Sequence, residues 1–157
     1  MLNIWAFDQL IGVFSEQWLE PLAQVLSRLG SRHVLVVHGE DGLDEISIGA
    51  PTQVAELKDG VVHRYMLSPE QFGLQATDIG TLVVKDAEES LSMLQAVLAD
   101  TPGAAQDIVL LNAGAAIYTA GVADSIEQGL EKARSVITNG AAQRKLEELV
   151  KLTNEFK

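Results

Sequence analysis

The sequence predicts an α/β fold, a short central sheet flanked by helices, and three observations carry that prediction. The run Val34-Leu35-Val36-Val37 is β-branched and unalternating, the pattern of a strand buried on both faces. Before it come an apolar, strand-like run and a stretch with helical apolar spacing, so the first part of the chain is a strand-helix-strand unit. From Ser90 onward the pattern is helical to the end.

The elements follow in order. Leu10 to Phe14 is a strand, and Ser15 is placed to cap a helix after it. Leu19, Leu22, Ala23, Leu26 and Leu29 keep helical spacing as far as Gly30, with Pro21 delaying the regular helix by a turn. After the Val34–Val37 strand, Thr52–Leu57 and Val61–Leu67 form a hairpin across Lys58-Asp59-Gly60, where Asp-Gly supplies the positive φ that a tight turn needs. Ser68-Pro69-Glu70 opens a turn or short helix ending near Gly73, and Thr77–Val84 offers a further, weaker extended run. Helices are expected over Ser90–Ala99, stopped by Pro102-Gly103, and over Ala104–Ala120, with Ile108, Leu111, Ala115 and Tyr118 on one stripe. Two amphipathic helices, Ser125–Thr138 and Ala141–Phe156, complete the chain on either side of Asn139-Gly140.

Composition narrows the function. With 157 residues, 47% of them hydrophobic, the chain has enough apolar mass for one domain, which we place at residues 9–157 behind an atypical leader, residues 1–8. The net charge of −11 and the scattering of the 11 Lys and Arg residues argue against a nucleic-acid partner. Met1 to Asp8 has no basic start, and no run approaches the roughly 18 apolar residues of a spanning helix, so no membrane partner is expected. The absence of cysteine removes disulfides, thiolate metal sites and Cys nucleophiles, and fits the cytoplasm.

Chemistry is expected just past the buried strand, because open α/β sheets place ligands at the carboxyl ends of their strands. The segment there, His38-Gly39-Glu40-Asp41-Gly42-Leu43-Asp44-Glu45, gathers Glu40, Asp41, Asp44 and Glu45 around two glycines that let the backbone turn. Such an oxygen-rich cluster suits Mg²⁺ carried with a phosphate-bearing substrate, since that ion keeps several waters and takes one or two protein carboxylates. The plainer alternative is a solvated acidic loop. His38 is a candidate base or ligand but more often such a residue is structural, while His33 and His63 show no partner pattern. Asp86, Glu88 and Glu89 sit where a helix start favours acid, and Asn112 and Tyr118 are polar groups on an apolar helix, read as satisfying buried backbone. No glycine-rich dinucleotide loop, Walker loop, nucleophile elbow or His-rich metal spacing occurs.

The segments Gln9–Val13, Arg32–Glu45 and Asp107–Ala116 resemble anthranilate phosphoribosyltransferase, most specifically through a strand followed by His-Gly-Glu-Asp-Gly-Leu-Asp-Glu. The resemblance implies a truncated central sheet with flanking helices, like the carboxy-terminal domain of the nucleoside phosphorylase/phosphoribosyltransferase fold. It also implies phosphoribosyl transfer from phosphoribosyl pyrophosphate to anthranilate in tryptophan biosynthesis, with Asp44 and Glu45 matching the family's Mg²⁺-binding Asp-Glu pair. The family's amino-terminal helical domain and glycine-rich phosphoribosyl pyrophosphate loop have no counterpart in the sequence, so substrate binding and activity are expected to be weak. The competing expectation is a non-catalytic assembly or interaction subunit; a nucleoside phosphorylase fits the Asp-Gly-Leu-Asp-Glu turn poorly. A homo-oligomer anchored by Leu2, Ile4, Trp5 and Phe7 is expected to cover apolar faces.

Overall fold

A computed structural model describes residues 7–156. Its centre is a four-stranded sheet in chain order, β1 (Asp8–Gly12), β2 (His33–Gly39), β3 (Thr52–Lys58) and β4 (Val61–Leu67). β1 and β2 run parallel, with Gly12 opposite Val37, whereas β2–β3 and β3–β4 are antiparallel. The sheet is therefore mixed, and the doubly buried β2 has only one parallel neighbour. The leader expected at residues 1–8 contributes to the sheet at its end, since Asp8 pairs with His33. Leu2, Ile4 and Trp5 lie outside the described residues, and Phe7 is 43% exposed beneath the Arg32 guanidinium.

The alternation of side chains along each strand divides the core into two layers. Val34, Val36, Ala55 and Leu57 point to one face, where Leu19 and Ala23 of α1 (Leu19–Arg28) cover them. Leu35, Val37 and Val54 point to the other face and meet Leu110, Leu111 and Ala115 of α3 (Ala104–Thr119) and Leu130, Ala133 and Ile137 of α4 (Ile126–Thr138). Two further helices, α2 (Ala87–Leu98) and α5 (Ala141–Asn154), lie outside this layer, and α5 buries none of its side chains.

Local sequence accounts for the ends of these elements. Pro21 falls in the first turn of α1, where its missing N–H costs nothing, and a 3₁₀ turn over Glu16–Trp18 precedes it. Asp59 (φ 51°) and Gly60 (φ 78°) both take the left-handed conformation of a two-residue hairpin turn. Asp86 accepts from the Glu89 N–H to cap α2, and Ser125 accepts from Gln128 to cap α4. The expected extended run Thr77–Val84 is corrected: it forms no strand. Asp78 instead accepts from the Gly80 N–H and opens a 3₁₀ turn over Ile79–Leu82, a local bond that competes with a strand ladder. Leu74 and Leu82 turn inward onto the α3 layer.

α3 and α4 cross through glycine. A Cβ at Gly114 would stand 2.6 Å from the Leu130 nitrogen, and one at Gly129 would stand 2.1 Å from the Gly114 carbonyl oxygen. Helix propensity by itself makes Gly→Ala stabilising by about 1 kcal/mol, but overpacking of this order costs about 1–3 kcal/mol. Gly114→Ala is therefore expected to lower the melting temperature, followed by circular dichroism; an increase would show that propensity outweighs the contact.

Candidate metal centre at the carboxyl end of the parallel strands

The connection between β2 and β3 runs from Glu40 to Pro51 and leaves the sheet where β1 and β2 both end. It is a braced loop. The Gly39 N–H donates to the Leu43 carbonyl at 2.8 Å, the Gly42 N–H to the Gly39 carbonyl at 2.9 Å, and Glu40 N–H to the Pro51 carbonyl at 2.9 Å. Gly42 takes φ +94°, which only glycine adopts freely. Beyond this turn Ile46 and Ile48 drop into the core with 1% of their surface exposed, each worth about 1.5–3 kcal/mol of burial. Asp44 and Glu45 stay exposed immediately before that anchor.

The four carboxylates of the acidic turn do not share one task. Asp41 bends inward: its Oδ2 accepts from Ser47 Oγ and its Oδ1 from the Leu43 N–H, while Ser47 in turn receives the Gly49 N–H and donates its own N–H to Thr52 Oγ1. All four are exposed, so Asp41 is set apart by its bonds within the loop and not by burial. Partial burial, and then the neighbouring negative charge of Asp44, push the Glu45 carboxyl above its ordinary range. Two like charges held side by side, with burial already opposing ionisation, form a place where a cation relieves both penalties. Among the described residues no group of three or more His, Asp or Glu side chains is placed to enclose a metal. The pair accordingly fits an ion that takes two protein carboxylates and fills its remaining positions from water and a phosphate-bearing substrate, as Mg²⁺ does.

Two residues from outside the loop lie against its backbone beside the pair. Asn112, in the middle of α3, accepts the Ile46 N–H at 2.9 Å and donates to the Ile46 carbonyl at 2.8 Å and the Ile108 carbonyl at 3.0 Å. Gly12, at the end of β1, lies against the Asp44 carbonyl, where a Cβ would come within 1.5 Å of the oxygen. The sequence reading of Asn112 as a residue that satisfies buried backbone holds, but its partner was not legible, nor was the role of Gly12. The contact of Asn112 spans 66 residues, and Gly12 looked like an ordinary strand residue. His38 lies close by, but its Nδ1 donates to the Val13 carbonyl at 2.9 Å, the structural role that a lone strand-end histidine most often has.

At the opposite end of β2 is a second polar cluster that sequence reading missed. Glu56 of β3, 9% exposed, accepts from His33 Nε2 at 2.7 Å, Tyr118 Oη at 2.7 Å and Tyr65 Oη at 2.9 Å. Lys58 donates to Tyr118 Oη at 3.0 Å. His33 seemed unpartnered in sequence because its partner is fixed by the β2–β3 register, in which His33 faces Lys58. Burial alone would raise the Glu56 carboxyl, yet the hydrogen bonds from Tyr118, His33 and Tyr65 outweigh it and hold the group below its usual range. With its polar atoms satisfied internally, the cluster ties the end of α3 to the sheet.

A mixed sheet covered on both faces, with an acidic turn leaving the carboxyl ends of its parallel strands, is an α/β domain of the kind that places a ligand at its strand ends. The chain belongs to the glycosyl transferase family, a/b domain, which residues 4–143 match. The resemblance to anthranilate phosphoribosyltransferase is borne out. The chain is 60% identical over 146 residues to the anthranilate phosphoribosyltransferase of Thioalkalivibrio sulfidiphilus (strain HL-EbGR7), covering 93% of this chain and 43% of that protein. It is 53% identical over 149 residues to that of Methylococcus capsulatus (strain ATCC 33009 / NCIMB 11132 / Bath), covering 95% and 44%. The crystal structure of anthranilate phosphoribosyltransferase from Thermus thermophilus superposes with a TM-score of 0.79 at 39% identity, over 87% of this chain and 40% of that one. The chain thus spans less than half the length of the relatives it matches.

The Glu56 cluster gives a pH-dependent prediction. Because the folded state lowers the pKa of Glu56, its contribution is full above the ordinary glutamate value of about 4.3 and is lost as pH falls through the folded value. Glu56→Gln leaves one buried donor without its acceptor, at about 1–3 kcal/mol. The variant should melt below the wild type at pH 7, with the gap closing in acid; a gap that is constant from pH 7 to 3 would contradict the assignment.

Proposed function

We propose that this chain supplies the metal-holding part of an anthranilate phosphoribosyltransferase site in the cytoplasm. That site serves phosphoribosyl transfer from phosphoribosyl pyrophosphate to the amine of anthranilate, with release of pyrophosphate. The observation that carries the reading is the Asp44–Glu45 pair, exposed and adjacent at the carboxyl end of the parallel strands, in a chain whose relatives bear that name.

Asp44 and Glu45 would hold Mg²⁺ through their carboxylates. An ion held by Asp44 and Glu45 would supply positive charge to offset the negative charge developing on the leaving pyrophosphate. The contribution of the chain is to keep both carboxylates together on a loop that Ile46 and Ile48 anchor in the core. Asp41 is not assigned to the ion, because its carboxylate braces the loop through Ser47 and the Leu43 N–H.

Titration with Mn²⁺ followed by electron paramagnetic resonance tests the site. The wild-type chain should bind weakly, and replacing Asp44 by Asn together with Glu45 by Gln should reduce affinity by at least tenfold; unaltered binding would remove the pair from the site. We further propose that the chain alone turns over more slowly than about 1 s⁻¹, the lower end for a biosynthetic enzyme. Holding both substrates in reacting geometry supplies much of the rate, and the relatives do so with chains more than twice as long.

A role as an assembly subunit is the second reading, and apolar surface favours it. Leu91 and Leu94 of α2, Val136 of α4, and Leu149, Val150 and Leu152 of α5 are each more than two-fifths exposed, and they line neighbouring grooves between these helices. Contiguous apolar surface of this kind is rare on monomers. We expect a homo-oligomer at micromolar concentration by light scattering; a monomer with one cooperative unfolding transition would oppose this.

A further inference from the structure

We propose that Gly12 and Asn112 are positioning residues for the Asp44–Glu45 pair, clasping the loop between the end of β1 and the middle of α3. The inference rests on the metal-holding reading of that pair and adds what sets its place.

Room explains Gly12 better than conformation does. Gly12 is not among the residues with positive φ, so any amino acid can adopt its backbone. What excludes a side chain is the Asp44 backbone: a Cβ at position 12 would lie 1.5 Å from the carbonyl oxygen, 2.4 Å from the carbonyl carbon and 3.1 Å from Cα. These are backbone atoms and cannot rotate away as a side-chain tip would. A methyl group there forces Asp44 back until the separation exceeds the 3.4 Å at which ordinary contact begins, and the carboxylate moves with it. By contrast, Gly30, Gly42 and Gly60 have open space where a Cβ would stand and are required for positive φ alone.

Asn112 acts from the other side. Its carboxamide meets both polar groups of the Ile46 backbone, accepting from the N–H and donating to the carbonyl, in the manner of a strand neighbour. Its second donated bond, to Ile108 one turn back in α3, locks the side chain in that pose. Ile46 follows Glu45 directly, so the bonds fix the exit of the pair just as Gly12 fixes its entry. Only an amide offers an acceptor and two donors together; Asp loses the donors, and Leu or Ala loses everything. A residue that merely stabilised α3 would have no reason to address residue 46.

The experiment measures Mn²⁺ affinity by electron paramagnetic resonance and the amide hydrogen exchange of Ile46 in the wild-type chain, Gly12→Ala, Asn112→Ala and Gly129→Ala. Gly129→Ala is the control, because it crowds the Gly114 backbone at the α3–α4 crossing and destabilises the fold without touching the loop or Asn112. We expect at least a tenfold loss of Mn²⁺ affinity in Gly12→Ala and Asn112→Ala, with at least tenfold faster Ile46 exchange in Asn112→Ala. Gly129→Ala should bind Mn²⁺ like the wild type at temperatures where it is folded. Wild-type affinity in both loop variants, or an equal loss in Gly129→Ala, overturns the proposal. If Gly12→Ala does not fold, Asn112→Ala decides by the same two readouts. If the wild type binds no Mn²⁺, the metal reading falls by itself. Ile46 exchange then decides the positioning: acceleration in the loop variants and not in the control upholds it, and unchanged exchange overturns it.

Discussion

The hydrogen bonds between the Asn112 carboxamide and the Ile46 backbone connect the two halves of this structure. α3 is apolar around its circumference and has no preferred face, so hydrophobic burial alone would leave its rotation and its shift along the sheet loosely set. Polar contacts supply the missing register. Asn112 fixes the middle of the helix to the loop after β2, and Tyr118 fixes its end to Glu56 of β3. Both attachments are directional, and both would leave buried donors or acceptors unsatisfied if the helix slid by one residue. The acidic turn sits against the same helix, with Ile46 and Ile48 in the core layer that Leu110, Leu111 and Ala115 of α3 help to form.

Glycine at three places then permits approaches that side chains would block. Gly114 and Gly129 bring α4 against α3, which in turn seals the layer over Leu35 and Val37; Gly12 lets the acidic loop settle against the end of β1. In each case the contact is with backbone, so the tolerance is small. The outer helices α2 and α5 are free of such constraints, and α5, with no buried side chain, leaves Leu149, Val150 and Leu152 exposed.

Much of this architecture was legible in the sequence wherever the cause is local. The hairpin at Asp59-Gly60, the delay of α1 by Pro21, the acidic start of α2 at Asp86 and the four later helices all depend on a few neighbouring residues, and all are present, whereas the Ser15 side chain expected to cap a helix makes no capping bond. The double burial of β2 was equally clear from Val34-Leu35-Val36-Val37, but not that its second neighbour would be antiparallel, because periodicity records burial and says nothing of direction. Thr77–Val84 misled for a related reason. Its composition suits a strand, but the Asp78 side chain captures the backbone in a local turn.

The candidate site divides along the same line. Its chemistry was visible in the acidic turn at a strand's carboxyl end, while its geometry depends on Gly12 and Asn112, which approach from distant parts of the chain. Sequence alone could not separate Asp41, whose carboxylate braces the loop, from the equally exposed Asp44 and Glu45. The central claim is that these last two carboxylates form one cation seat. The most direct measurement is anomalous diffraction from crystals of the chain soaked with Mn²⁺. The account predicts a peak about 2.0–2.3 Å from a carboxylate oxygen of both Asp44 and Glu45, the range expected for hard cations of this size. A peak bound to Asp41 or Glu40 instead, or none at the turn while Mn²⁺ is bound elsewhere, would contradict it.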